Sequence, residues 1–385
     1  MTPERGAARD EIVERIGREG PIGFDMFVEL ALYGDAGFFT EARGAGRAGR
    51  DFVTSPEVGP LYGELVGRAF DGWWRDMGSP DPFLVVEVGA GRGRLAADVV
   101  ASAPECAPAL RYVMVERSSA LRAVQRELLT VEPFEDALGP VVRDDEDSPL
   151  PVTGMGPIVT ALDDLPAVSI DGVVMANELL DNLPFRVVER RDGAWWEVRV
   201  GIDGDALVEQ LVIASTELAA EADLVVADPP DGSRAPVPTA LVDWLRRCAA
   251  VLHTGRLVVV DYTATAADLV ERGERGWLRT YRGHDRGKPP LVDPGEQDIT
   301  IDVPTEYLVH AAGRVGLRLE RDVTQAEWLH DLGIDDLVAE ARRGWDARAH
   351  IGDLEAVRHR SRVTEGAALV DPTGLGAHHV LVFTR

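Results

Sequence analysis

Three glycines and a preceding acid are the residues whose types and spacing most directly suggest chemistry. Residues 84–94 read LVVEVGAGRGR, so an apolar run ends in Glu87 and is followed by Gly89, Gly91 and Gly93 at alternate positions. This pattern is typical of a β-strand, a tight turn and the start of a helix. Because glycine has no Cβ, such a turn lets a ligand approach the backbone closely.

The spacing of these glycines indicates which class of ligand the turn would take. The G-x-G-x-G pattern differs from the G-x-G-x-x-G pattern of dinucleotide-binding folds, in which helix amides face a pyrophosphate. A charged Glu87 would repel a pyrophosphate, whereas it would suit a cationic or zwitterionic ligand such as S-adenosyl-L-methionine. The turn therefore favours that ligand and disfavours a nicotinamide-dependent oxidoreductase.

A second acid supports a nucleoside-containing ligand. Residues 112–116 (YVMVE) predict the next strand, which ends at Glu116. An acid at the end of the second strand of a nucleotide-binding fold can accept hydrogen bonds from both ribose hydroxyls. The alternative is that one glycine-rich turn and one acid occur together by chance, as they do in many α/β proteins.

Asn177, Glu178 and Asp181 are the candidate catalytic residues. They belong to the segment NELLDNLP (177–184), which follows a predicted strand at 172–176. A carboxylate there can hold a guanidinium through a bidentate pair and fix its nitrogen in line with a methyl group. Asp181 would share the helix face of Glu178, three residues before it. The alternative is that Asn177 caps a helix and Glu178 interacts with the helix dipole.

Asp163 and Asp164 are a further pair of candidate ligand contacts. They follow a predicted strand at 157–160. An acid at the end of that strand could meet the amino group of an adenine. The two residues could equally form a turn before Pro166, and both interpretations stay open.

These residues need a scaffold, and the pattern of apolar runs predicts an α/β fold. The sequence predicts seven strands with helices between most of them, which is typical of a parallel sheet covered on both faces. About 80 mostly helical residues precede the glycine turn. The predicted strands are 83–88, 111–116, 157–160, 172–176, 256–262, 316–322 and 379–384.

The predicted domain organisation follows from these elements. Residues 1–80 are predicted to form a helical N-terminal segment, and residues 81–385 are predicted to form the core. Strand-like runs and a proline-rich stretch predict a β-rich hairpin insertion at 184–235. A charged, helical insertion is predicted at 323–365, before the last strand.

The composition narrows the possible partners. The chain has 385 residues, 45% of them hydrophobic, and a formal net charge of −26. Such a charge argues against non-specific nucleic-acid binding and against anionic membranes, so that we expect neither partner. It is compatible with a protein partner that bears arginine, although solubility alone can explain it. Whether the chain forms a homodimer stays open.

The cysteines and the N-terminus bear on metal binding and on location. Cys106 and Cys248 show no metal-ligand spacing and no disulfide framework, so that no metal is expected. Residues 1–20 contain several acids and no apolar core, unlike a signal or transit peptide. No apolar run approaches the ~20 residues that span a bilayer. The sequence therefore predicts a cytoplasmic location.

Several segments in order resemble the MidA-like family of S-adenosyl-L-methionine-dependent methyltransferases. They are similar to that family's x-x-x-GYY, DF-T-SPE, ELGPGRG, NE-x-x-D-x-LP and Q-x-x-FL-x-x-LGI segments. An ordered set that covers nearly the whole chain is more specific than any single motif. The segments are residues 33–39 (YGDAGFF), 51–58 (DFVTSPEV), 86–93 (VEVGAGRG), 176–184 (ANELLDNLP) and 325–334 (QAEWLHDLGI).

The resemblance implies a Rossmann-like, seven-stranded methyltransferase core with S-adenosyl-L-methionine as its cofactor. It also implies that the helical segment at residues 1–80 covers the cofactor site. The family's mitochondrial members assist assembly of respiratory complex I by symmetrically dimethylating an arginine of a partner subunit. The resemblance therefore implies a protein arginine as the methyl acceptor, with Glu178 orienting the guanidinium and Asp181 or Asn177 assisting. The implied cofactor contacts are Glu87, Gly89, Gly91, Gly93, Glu116, Asp163, Asp164, Thr54, Ser55 and Glu57.

The chain departs from the family pattern at three positions. Ala90 replaces a proline in the glycine turn, Pro304 replaces an aspartate, and Trp328 replaces a smaller aromatic residue. The last two lie toward the substrate side, so they weaken the inference about the substrate more than that about the cofactor. A small-molecule methyltransferase and a cofactor-binding assembly factor without turnover therefore stay open as alternatives.

Overall fold

The computed structural model describes residues 6–40, 54–138, 155–283 and 285–385, and its helices and strands are numbered here in chain order. The helices are α1 (Ala7–Glu19), α2 (Phe24–Tyr33), α3 (Ser55–Val58), α4 (Pro60–Asp76), α5 (Arg94–Ala101), α6 (Ser119–Leu128), α7 (Phe134–Leu138), α8 (Thr216–Val225), α9 (Thr239–Val251), α10 (Ala266–Arg272), α11 (Glu274–Trp277), α12 (Thr305–Arg314), α13 (Gln325–Asp331), α14 (Ile334–Arg348) and α15 (Leu354–Leu369). The strands are β1 (Ile22–Gly23), β2 (Phe83–Val88), β3 (Leu110–Val115), β4 (Ile158–Leu162), β5 (Ile170–Asn177), β6 (Arg186–Arg191), β7 (Ala194–Asp203), β8 (Ala206–Ile213), β9 (Arg234–Val237), β10 (Leu252–Asp261), β11 (Thr263–Ala264), β12 (Leu278–Arg282), β13 (Asp285–Arg286), β14 (Asp298–Ile301), β15 (Val303–Pro304), β16 (Arg318–Thr324) and β17 (His379–Thr384).

The chain divides into two compact units. The first unit comprises Met1–Phe52, Glu178–Arg247 and Asp261–Arg318, and the second unit comprises Val53–Asn177, Cys248–Val260 and Leu319–Arg385. Neither unit begins or ends at the predicted boundary between residues 80 and 81. The second unit takes in most of the predicted core together with α3 and α4, whereas the first unit combines α1 and α2 with the region of the β-rich insertion.

The second unit is built on a central sheet with the strand order β16-β17-β10-β5-β2-β3-β4. The pairs β10–β5, β5–β2, β2–β3 and β3–β4 are all parallel. Their sequences are near-continuous apolar runs because a parallel sheet buries both of its faces. The predicted α/β class is therefore confirmed, and each of the seven predicted strands overlaps an observed strand.

Parallel pairing brings the carboxyl ends of these strands to the same edge of the sheet. Val88 pairs with Val115 and with Ala176, and Val115 pairs with Leu162. The glycine turn, Glu116 and Asp163 follow directly after β2, β3 and β4. The fold thus places the turn and these acids at one edge, which is where open α/β sheets bind ligands.

The sequence Ser55-Pro56-Glu57 predicts one helix that runs to about Met77, with Ser55 as its N-cap and Pro56 at the first helical position. The start of the second unit differs from this prediction. Thr54 occupies the N-cap position, Ser55 is the first helical residue, and the helix stops at Gly59 before α4 begins at Pro60. Gly59 has a φ of +159°, a conformation that L side chains rarely adopt. Residues 51–53 of the resembling segment lie outside the described residues.

The first unit contains a five-stranded sheet in which β8, β7, β6 and β9 are joined by the short strand β1. The region predicted as a hairpin insertion therefore holds four strands, and α8 lies between β8 and β9. A second, three-stranded sheet pairs β12 with β13 and β14. No helix in the described parts of the chain is both long enough and apolar enough to cross a membrane.

Candidate active site

The glycine turn adopts backbone conformations that explain its composition. Gly89, Gly91 and Gly93 have φ values of +77°, +53° and +79°, in the left-handed region that favours glycine. A Cβ on Gly93 would lie 3.0 Å from Met114 Sδ, whereas a Cβ on Gly91 would meet nothing within 4 Å. Gly93 therefore permits close packing, and the space beside Gly91 is open to a ligand.

Glu116 ties this turn to the end of β3. One carboxylate oxygen accepts from the backbone N–H of Gly91 at 2.9 Å, and the other accepts from the N–H of Ser118 at 2.8 Å. Burial raises the pKa of Glu116, and these two hydrogen bonds oppose that rise. A carboxylate has about four lone-pair positions. Glu116 therefore keeps capacity for the two hydroxyls of a ribose while it holds the turn.

Glu87 differs from the charged residue that the sequence argument assumed. The residue is buried and accepts a hydrogen bond from the Tyr112 hydroxyl at 2.8 Å. Burial raises the pKa of Glu87 to about 8, and the charge of Glu116 adds to the rise. Glu87 is therefore mostly protonated at neutral pH, and its predicted repulsion of a pyrophosphate loses its basis. Both faces of strand β2 are buried, so that the charge assumed for Glu87 from the sequence is disfavoured in the fold.

Two polar residues that the sequence analysis did not single out support this edge of the sheet. Gln125 is buried on α6, and its side-chain amide donates to the backbone carbonyl of Gly91 at 2.8 Å. The Tyr62 hydroxyl, on α4, donates to the side-chain oxygen of Asn177 at 2.6 Å. Neither residue could be found from a motif, because each contact joins elements that are far apart in sequence.

The remaining predicted cofactor contacts have different degrees of exposure. Asp163 and Asp164 are exposed after β4, and Asp164 accepts from the N–H of Leu165 at 2.7 Å, as in a turn. Thr54 and Glu57 are partly exposed. Ser55 is fully buried, and its hydroxyl donates to Gln325 at 2.9 Å, so that this hydroxyl has a structural contact inside the second unit.

In the first unit, Glu178 begins a short acidic segment in an unusual backbone conformation. Its φ is +51°, which is uncommon for a residue other than glycine and indicates strain that the surrounding structure must hold. Glu178 is partly exposed, whereas Asp181, in the 3-10 turn Leu180–Asn182, is buried. The predicted common helix face is therefore absent, because the segment forms only this short turn.

Asp181 and Asp261 form a buried pair of carboxyl groups below this segment. Asp181 accepts from the Thr300 hydroxyl at 2.6 Å, and its other oxygen, Oδ1, has no hydrogen-bond partner among the described residues. Burial raises the pKa of Asp181 and, more strongly, that of Asp261. The charge of Asp302 adds to the rise at Asp181, and the charge of Asp181 adds to the rise at Asp261. The pair therefore resists carrying two negative charges at once.

A mostly buried cation lies near these acids. Arg279 forms an ion pair with Asp302, and its guanidinium lies 5.1 Å from the centre of the Tyr262 ring. Arg279 lowers the pKa of Asp181, and burial together with the charges of Glu178 and Asp181 raises the pKa of Tyr262. No cluster of three or more His, Cys, Asp or Glu side chains in the described ranges is arranged to hold a metal ion.

The structure thus brings together two separate sets of predicted residues. Within the second unit, the glycine turn and Glu116 form one set, and its open face and spare lone pairs fit an adenosyl ligand. Within the first unit, Glu178 and Asp181 join Asp261, whose side chain the sequence analysis did not single out. Asn177 is the last residue of its segment of the second unit, and Glu178 follows it in the chain.

Comparisons with known proteins identify the family. Residues 65–322 match the family described as "Putative S-adenosyl-L-methionine-dependent methyltransferase". The mitochondrial protein arginine methyltransferase NDUFAF7 of Rattus norvegicus is 30% identical over 338 residues, which cover 84% of this chain and 73% of that protein. The Drosophila melanogaster homologue is 28% identical over 328 residues, which cover 80% of this chain and 70% of that protein.

A solved structure from Burkholderia thailandensis, with bound S-adenosylhomocysteine, has a TM-score of 0.81 and 28% identity. The similarity covers 99% of this chain and 92% of that chain. The predicted cytoplasmic location is wrong by these comparisons, because the curated relatives are mitochondrial proteins by name. The acids in residues 1–20, on which the prediction was based, do not determine a compartment. The chain belongs to this family, and it is an S-adenosyl-L-methionine-dependent methyltransferase.

Proposed function

We propose that the methyl acceptor is an arginine side chain of a partner protein. The acidic segment that begins at Glu178 carries this proposal. A carboxylate and a guanidinium form bidentate, charge-assisted hydrogen bonds, and arginine is the side chain that suits such a site. The names of the curated relatives, which are protein arginine methyltransferases, support the same acceptor.

The proposed cofactor contacts lie at the edge of the sheet in the second unit. Glu116 accepts from the ribose hydroxyls, and the open face of Gly91 receives the ligand, with Gly89 and Gly93 shaping the turn. Asp163 or Asp164 meets the adenine amino group, and Glu87 acts indirectly, through strand β2, which leads into the turn. Thr54, Ser55 and Glu57 border the site, with Ser55 acting through its contact with Gln325. When bound, S-adenosyl-L-methionine supplies an electrophilic methyl group.

The proposed catalytic contribution of the chain is positioning and charge. Glu178 holds the guanidinium by two of its N–H groups, which leaves one nitrogen in line with the methyl group. The Asp181 oxygen that lacks a partner among the described residues can accept another N–H or a proton. Asn177 accepts a hydrogen bond from the Tyr62 hydroxyl and directly precedes Glu178 in the chain, so that it can orient the start of this segment.

Transfer of a labelled methyl group tests the proposal. The purified chain is incubated with methyl-tritiated S-adenosyl-L-methionine and an extract of cells that lack it, and the protein fraction is hydrolysed and analysed for methylated arginine. We expect labelled methylarginine with the wild type, and a large fall in its rate of formation with Glu178→Gln while cofactor affinity by calorimetry is unchanged. Glu271→Gln, at an exposed position outside the proposed site, is the matched control.

The other outcomes of this assay would overturn parts of the proposal. Label in small molecules alone would make the chain a small-molecule methyltransferase. Cofactor binding without label in any fraction would favour an assembly factor that does not turn over. Full activity of Glu178→Gln would remove the proposed role of this carboxylate.

A further inference from the structure

Asp261 is the last residue of β10, and its carboxylate contacts the segment that begins at Glu178. One oxygen, Oδ2, accepts from the backbone N–H groups of Leu179 and Leu180, at 3.1 and 2.7 Å. The other oxygen accepts from the N–H of Tyr262 at 2.9 Å. The side chain has no exposed surface, so these hydrogen bonds are shielded from water. All of these residues belong to the first unit.

These contacts fall directly after the strained residue. Glu178 has a φ of +51°, and Leu179 and Leu180 are the two residues that follow it. A backbone in this region costs roughly 1–3 kcal/mol for a residue other than glycine and persists only where its surroundings hold it. The two hydrogen bonds to Asp261 hold the backbone on the carboxyl side of Glu178. This sets the direction in which the Glu178 side chain points.

We propose that Asp261 is a positioning residue that holds the Glu178 carboxylate in the geometry that binds the acceptor guanidinium. This inference rests on the proposed function of Glu178. Asp261 is too deeply buried to contact an acceptor itself, and its effect passes through the backbone of Leu179 and Leu180. The strain at Glu178 is then part of the site, since a relaxed backbone would point the carboxylate elsewhere.

The substitution Asp261→Asn tests this role with little change in volume. Both oxygens of Asp261 accept backbone N–H groups, whereas an asparagine has only one oxygen. The amide NH2 group of the asparagine must therefore face at least one backbone N–H. Either Leu179 and Leu180 or Tyr262 then lose their hydrogen bonds to this side chain. We expect the rate of arginine methylation at saturating cofactor to fall by about 10- to 100-fold, since a small misplacement of a positioning group can have that effect.

Three further measurements separate positioning from general structural damage. The affinity for S-adenosyl-L-methionine should stay within about twofold of the wild type, because the proposed cofactor contacts lie in other segments. Hydrogen exchange at the amides of Leu179 and Leu180 should become about tenfold faster. The double variant Asp261→Asn/Glu178→Gln should be no slower than Glu178→Gln alone, because Asp261 acts through Glu178.

Asp71→Asn is the matched control, because Asp71 is also a buried aspartate that accepts a backbone N–H, from Cys106 at 2.8 Å. It should melt earlier than the wild type but keep its methylation rate. If Asp261→Asn does not fold, Asp261→Glu keeps a carboxyl group but shifts its position, and the same slow rate with intact cofactor binding is expected.

Two results would overturn the inference in different ways. A normal rate for Asp261→Asn beside a slow Glu178→Gln would show that Asp261 does not position Glu178, and the proposed function would stand. A double variant much slower than Glu178→Gln would also overturn it, because Asp261 would then act by another route. A normal rate for Glu178→Gln would remove the premise itself.

Discussion

Two glutamates near the glycine turn have different tasks, which follow from their surroundings. Glu116 is partly exposed and holds the turn through the N–H of Gly91, whereas Glu87 is buried against Tyr112. An acid at the end of a strand can reach both the turn and a ligand, but an acid inside a buried strand reaches neither water nor ligand easily. The two carboxyl groups should therefore respond differently to substitution.

Glu116→Ala removes the carboxylate that anchors Gly91 and Ser118 and that we propose for the ribose. We expect loss of binding of both S-adenosyl-L-methionine and S-adenosylhomocysteine in calorimetry, by about 100-fold or more, because two charge-assisted hydrogen bonds are removed at once. Glu127→Ala, at an exposed position on α6, is the control and should bind both ligands normally. Undiminished binding by Glu116→Ala would exclude this carboxylate from the cofactor site.

Glu87 should make the fold less stable as the pH rises. Its pKa is about 8 in the folded chain and 4.5 in a model compound. Below about pH 4.5 the carboxyl group is protonated in both states and contributes no difference. Between these values the unfolded state loses the proton and the folded state keeps it, so that stability falls with pH and the penalty is complete above pH 8.

Glu87→Gln removes this titration and keeps an oxygen that can accept from Tyr112. We therefore expect the variant to gain stability over the wild type as the pH rises from 5 to 8, by at most about 5 kcal/mol at ~1.4 kcal/mol per pKa unit. Thermal unfolding across this pH range measures the difference, and Glu132→Gln, at an exposed position, should show none. A difference that stays constant with pH would mean that Glu87 is ionised in the folded chain.

At the scale of elements, α4 depends on a capping contact from far along the chain. The buried carboxylate of Glu365, on α15, accepts from the N–H of Leu61 in the first turn of α4 at 3.1 Å. A Cβ on Gly59 would come within 2.3 Å of this carboxyl group. The helix break at Gly59 thus makes room for the side chain that caps the following helix.

Gly59→Ala should therefore destabilise the chain, by roughly 1–3 kcal/mol, through a clash with Glu365 and a strained φ. Urea unfolding measures this loss. Gly72→Ala, inside α4, is the matched control, because a Cβ there meets nothing within 4 Å. An alanine inside a helix should raise stability by ~0.5–1 kcal/mol. Equal effects of the two substitutions would contradict the capping role.

The elements that could be predicted from the sequence are those defined by local patterns. Strands β2, β3 and β17 were predicted within one residue of their bounds, because long apolar runs between glycine or proline turns specify buried strands. The break at Gly59 could not be predicted, because its cause lies about 300 residues away at Glu365. The region 184–235 was predicted only as β-rich, since half-buried strands and a helix of mixed polarity carry weak periodicity.

The same distinction applies to the candidate site. The glycine turn and Glu116 are found from spacing because their contacts are local to two adjacent strands. The neutral state of Glu87 and the burial of Asp181 depend on packing that no motif records. The contact of Asp261 with Leu179 and Leu180 joins the ends of two strands that are distant in sequence, so that it can be found only in the folded structure.

At the scale of the whole molecule, the net charge of −26 bears on how an acceptor is reached. A strongly acidic chain attracts a cationic partner over distances of the order of the Debye length, about 10 Å at 0.1 M salt, and this raises the association rate. A substrate that presents arginine is such a partner. The same charge would hardly affect binding of a small cofactor with a single net positive charge.

We therefore expect methylation of a protein acceptor to slow with added salt. In the labelled-extract assay at limiting acceptor, where the rate reports kcat/KM, the wild type should lose several-fold between about 0.05 and 0.5 M sodium chloride, since screening removes the steering. Cofactor affinity measured over the same series should change by less than about twofold, which separates this effect from salt damage to the fold. A rate that does not depend on salt would leave solubility as the role of the charge, because neither encounter nor docking would then use it. A rate that rises with salt would mean that the acceptor surface is acidic, and the proposed recognition of an arginine-bearing partner by charge would be wrong.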